Sequence, residues 1–141
     1  MAAATRAEEF DDAGRFASEV ACGPGEARAA RSLFEATKRE RLGFVERAVA
    51  RIAQGDGADA ALREVGAFVL DLLTLVERDP GLELAADDLY DAAALLADGA
   101  GRGSGMADAR RWRLLKDAER RFRARLDAAH PNDRARRLGL G

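Results

Sequence analysis

The residues of this chain with the most capacity for chemistry are a run of carboxylates, Asp87-Asp88-Leu89-Tyr90-Asp91. On a helix Asp87 and Asp91 stand four apart and share a face. Oxygen donors so placed suit a hard cation such as Mg²⁺, which completes a near-octahedral shell with further carboxylates or substrate phosphates. Glu83 extends the row by one turn. A solvated acidic face is the simpler account, because carboxylates near a helix N-terminus already favour its dipole.

The D-D-x-x-D spacing resembles the one with which all-helical isoprenoid synthases hold Mg²⁺ and a diphosphate. The resemblance covers five residues and implies a cation-dependent phosphate or diphosphate chemistry carried by Asp87, Asp88 and Asp91. The chain is far shorter than such synthases. It offers no second acidic cluster with basic diphosphate partners, so this reading ranks last.

Other chemistries find fewer residues. His130 is the sole histidine, and it precedes Pro131, which pushes it out of helical geometry. One histidine excludes the Glu-x-x-His pairs of di-iron bundles and the Cys/His sets of structural zinc. Cys22 is the only cysteine, with no histidine to activate it and no partner for an intrachain disulfide. No serine-centred nucleophile motif is present. The alternating glycines from Gly99 to Gly105 follow a predicted helix and hold no lysine, so they lack the strand and the Gly-Lys-Ser/Thr that a nucleotide cradle requires. Enzymatic function is therefore not expected, and no cofactor is called for.

The basic residues carry the other functional signal. Residues 1–101 have a net charge of −9 and residues 102–141 of +7, although the whole chain carries only −2. Arg110, Arg111, Arg113, Arg120, Arg121 and Arg123 lie in the basic part and offer a nucleic-acid surface as an alternative function. Projected at 100° per residue they surround the whole polar circumference, interrupted by Asp117 and Glu119, and form no clean phosphate-tracking lane. The acidic stretch from Glu77 to Asp98 supplies an internal explanation, since a basic helix folding back would meet it.

The elements that must position these residues are helices. Alanine occupies 32 of 141 positions while Val, Ile and Thr together fill 10, a balance that favours helix over strand. A capping box at Thr5-Arg6-Ala7-Glu8 predicts a first helix to about Cys22, stopped by Gly23-Pro24-Gly25. A second helix is expected over 26–53, with its stripe on Ala27, Ala30, Phe34, Thr37, Arg41, Val45, Ala48 and Ile52. A third is expected over 59–78, apolar almost all round in its second half and innermost. A fourth over 84–97 turns Leu82, Ala85, Leu89, Ala93 and Leu96 inward. The last, over 107–129, carries Trp112, Leu115, Ala118, Phe122, Leu126 and Ala129 as a narrow apolar seam.

The expected fold is all-α, an antiparallel bundle of four to five helices. Residues 1–98 form the bundle core, 99–105 a Gly-rich linker, 106–130 an amphipathic basic helix in the same domain or swapped, and 131–141 a flexible tail. No stretch approaches the ~20 apolar residues that span a bilayer, and the start of the chain lacks a secretory signal, so a cytoplasmic home is expected. The expected function is that of a non-enzymatic protein–protein interaction module, an adaptor, chaperone or regulator. It would bind another protein or a second copy of itself through Trp112, Leu115, Phe122 and Leu126, or through the groove that they cover.

Overall fold

A computed structural model describes residues 24–99 and 105–141, and for residues 105–107 the backbone alone. The helix expected over residues 5–22 and the centre of the glycine linker lie outside the described residues. Within them the fold is all-α: α1 (Pro24–Gln54), α2 (Ala58–Leu73), α3 (Pro80–Gly99), α4 (Gly105–Asp127) and the short α5 (Asp133–Arg137). No described helix is long and apolar enough to cross a membrane.

Pro24 begins α1, where its missing N–H costs no hydrogen bond. The helix ends in a Schellman motif: Gly55 takes φ 75°, its N–H reaches the Ile52 carbonyl, and the Asp56 N–H reaches that of Arg51. Gly57, also left-handed, then starts α2. This short loop turns α2 back along α1, and ion pairs Arg51–Glu64 and Arg41–Asp71 with the ring contact Phe44–Phe68 fix an antiparallel hairpin.

Helix α2 stops at Leu73, five residues before the end predicted from its apolar run. Leu75 and Val76 remain buried, but their backbone turns to the C-terminal segment. Asn132 N–H donates to Leu75 O at 3.0 Å, Glu77 N–H donates to His130 O at 2.9 Å, and Val76 forms an isolated antiparallel bridge with Pro131. Nor is α2 apolar all round or innermost. It buries one face, Ala61, Val65, Val69 and Leu72, and Leu70 is 65% exposed.

Asp79 caps α3 by accepting the Gly81 N–H on its side chain and the Glu83 N–H on its backbone. All five positions expected to face inward on this helix are buried. Helix α4 returns antiparallel to α3, and also antiparallel to α1, where Arg123 meets Glu46. The core is shared by all four long helices; α1 with α2 and α3 with α4 pack most extensively.

Residues 131–141 are not a loose tail. The Asn132 side chain accepts from Ala135 N and caps α5. Gly139 and Leu140 close it with a second Schellman motif, placing Leu140 against the buried Ala135 side of the turn. The Gly141 N–H then donates to Ala30 O of α1 at 3.0 Å. At 31 residues against 16, α1 outreaches α2 by about 22 Å. The C-terminal segment covers that overhang, and Phe34 is buried there.

Candidate functional site

The apolar seam of α4 is committed to the chain's own core. Leu115, Phe122 and Leu126 are essentially inaccessible, and each stabilises the docked helix by roughly 1.5–3 kcal/mol. Helix α4 packs on its own bundle, mainly against α3. Trp112, expected among them, sits on the flank at 37% exposure with the Lys116 ammonium 5.2 Å from its ring centroid. As a ready-made partner stripe these four residues are therefore unavailable, except at Trp112.

One anchor of α4 was not read from the sequence. Lys38 is buried and donates to the carbonyls of Leu126 (2.9 Å), Ala129 (3.2 Å) and Asp127 (3.4 Å), with Glu35 at 3.2 Å and the Phe34 ring beneath it. It completes the orphan carbonyls at the end of α4 and complements their negative pole. The inward face of α1 thus runs Phe34, Lys38, Leu42, Val45, Val49 and Ile52. Thr37 and Arg41, placed on that stripe by spacing, lie on its flank, and Ala27 is exposed. The available signal was that Lys38 is one of two lysines and stands four residues from both Phe34 and Leu42.

Acidic α3 and basic α4 do meet, though by steric fit more than by charge. A Cβ at Gly81 would lie 2.7 Å from the Arg125 guanidinium, and one at Gly99 would strike that of Arg111. Two guanidiniums therefore lie close against two glycines, one at each end of α3. The described ion pairs of α4 run to Asp117 from Arg120 and Arg121, to Asp108 from Arg111, to Glu119 from Lys116, and to Glu46 of α1 from Arg123. Asp87, Asp88 and Asp91 take no part in these pairs. Among the described residues no three of His, Cys, Asp and Glu gather closely enough to hold a metal ion.

The outer face of the α3/α4 hairpin combines these features. Asp87 and Asp91 point to solvent on α3, and Arg110, Arg113, Arg120 and Arg121 do so on α4. Between the two rows lie exposed leucines: Leu84 at 63%, Leu95 at 45% and Leu114 at 50%. Counting from the Gly99–Arg111 contact, Leu95 and Leu114 fall at one level. Nearer the other end, Leu84, Asp88, Arg121 and Ala124 line a depression of about 340 Å³. A cleft of about 640 Å³ between α1 and the C-terminal segment is lined equally by polar and apolar residues. The one of about 250 Å³ between α1 and α4 is lined by Glu35, Lys38, Glu46 and Arg123, all of which have partners in the chain.

Comparison with protein families, curated proteins and solved structures finds no match for this chain. Its own surface must therefore carry the functional reading.

Proposed function

We propose that this chain is a non-enzymatic protein–protein interaction module whose contact surface is the outer face of the α3/α4 hairpin. The observation that carries the proposal is the exposed row of Leu84, Leu95 and Leu114 set between carboxylates on one side and guanidiniums on the other. Large aliphatic side chains at such exposure, rimmed by charge, mark association surfaces, since the apolar centre supplies adhesion and the rim selects orientation. The groove beneath α4 is already filled by α4 itself. An adaptor or regulator of this design presents the back of its docked helix to its partner.

A nucleic-acid role through the same arginines has less support. Arg111, Arg120, Arg121 and Arg123 already pair with carboxylates of the chain. The acidic row of α3 would also stand beside any phosphate they drew in.

A photo-reactive residue introduced at Leu95 tests the proposal, with one at the exposed Arg63 of α2 as control. The expected result is a discrete cross-linked protein species from position 95 and none from position 63. Equal cross-linking from both, or none from position 95, would overturn it.

A further inference from the structure

We infer that the occupant of the α3/α4 face is a second copy of this chain, related by a two-fold axis running parallel to the two helices, so that α3 of each copy lies against α4 of the other. The inference rests on reading this face as an interaction surface, and it adds the partner and its orientation.

Charge selects the orientation. With the axis along the helices, Asp87 and Asp88 of α3 meet Arg120 and Arg121 of α4, and the same contact repeats on the other side of the axis; Asp91 falls level with Asp117, whose charge Arg120 and Arg121 already offset. With the axis across the helices, α3 would face α3 and α4 would face α4, placing like charges together and disfavouring that arrangement.

Register agrees with that choice. An axis along the helices leaves every residue at its own level. Asp88 and Arg121 share one depression within a chain, so Asp88 stands at the level of Arg121 of the second copy. Asp117 pairs with both Arg120 and Arg121 and presents their guanidiniums on the outer surface. At the same level Leu84 projects from each copy toward the depression of the other. Leu95 meets Leu114 of the second copy nearer the opposite end.

Size is adequate. Two helices of 20 and 23 residues side by side present about 30 by 20 Å, which doubles to roughly 1200 Å², the lower bound for specific assemblies.

The test is charge reversal read by sedimentation velocity on the full chain at micromolar concentration. The unaltered chain should sediment as a dimer. Asp88→Arg alone and Arg121→Asp alone should each raise the dissociation constant about tenfold or more, with circular dichroism unchanged. Mixing the two variants should restore the dimer, because one contact then pairs the two altered residues and the other pairs the two native ones. Leu95→Glu, which leaves both charged rows intact, should also give monomers and covers the case where a reversal disturbs the hairpin. A monomeric native chain, or reversals and Leu95→Glu that all leave the dimer intact, would overturn the inference. If the chain is monomeric while position 95 still cross-links to a different protein, the interaction reading stands and only the choice of partner fails. If position 95 cross-links to nothing, both fail.

Discussion

The two hairpins of this bundle use the same side-chain types in opposite ways. Across α1 and α2, cations and carboxylates pair directly, Arg41 with Asp71 and Arg51 with Glu64, and the rings of Phe44 and Phe68 stack 5.4 Å apart between them. Across α3 and α4 the arginines at the seam lie against glycines, and the acidic row faces solvent with no ion pair to α4 described. The first hairpin pairs two of its cations with carboxylates across the helices. In its described contacts the second is held by shape, and Asp87 and Asp91 face solvent. A helix pair can thus be equally well docked in both cases; the first also exposes Leu33 and Leu70, but the second sets its exposed leucines between rows of opposite charge.

Substitutions that break or sharpen this contrast span a wide range. The largest effect is expected at Phe122, since truncation to Ala in a fully buried site removes adhesion from the hairpin with no α3–α4 ion pair among its described contacts. Phe122→Ala should cost about 3–5 kcal/mol in urea unfolding. Lys38→Ala comes next. It leaves the last carbonyls of α4 unpaired in a buried corner, and a loss of about 2–3 kcal/mol is expected by the same measurement. Asn132→Ala removes the α5 cap and the side-chain bonds to the Thr74 and Val76 carbonyls. It should cost about 2 kcal/mol and raise hydrogen exchange at Ala135. The smallest effect belongs to the first hairpin's surface. A double-mutant cycle on Arg51 and Glu64, each 42% exposed, should give a coupling below about 1 kcal/mol that fades with salt. A coupling of several kcal/mol there would mean that charge, not the ring contact and core, holds α1 to α2.

Periodicity made the helices legible wherever one side of the pattern was unambiguous. On α3 the five positions Leu82, Ala85, Leu89, Ala93 and Leu96 recur at helical spacing among aspartates, and all are buried. On α4 the same holds for Leu115, Ala118, Phe122 and Leu126. Trp112 departs from the seam: it is 37% exposed, with the Lys116 ammonium over its ring. On α1 the register slipped by one residue, since Lys38 looks like a surface residue until the carbonyls 88 to 91 positions away arrive to receive it. The early stop of α2 is illegible for the same reason. Leu75 and Val76 are as apolar as the helix before them, and what draws their backbone out of it is a segment 55 residues downstream. The candidate surface was harder still. Seen as separate helices, its leucines are scattered singles and its charges are ordinary rims. Only the antiparallel docking of α3 and α4 brings Leu95 level with Leu114 and sets an acidic row beside a basic one.

The lysine clamp also bears on how the chain acquires its shape during translation. The ammonium of Lys38 is made roughly 90 residues before the carbonyls that it binds, an interval of about 5–20 s at ordinary elongation rates. Over that interval α1 and α2 can pair through local contacts, but the face bearing Phe34 and Lys38 has no cover. The nascent chain therefore waits as a half-finished hairpin with one sticky, charged groove, and the arrival of α4 seals it.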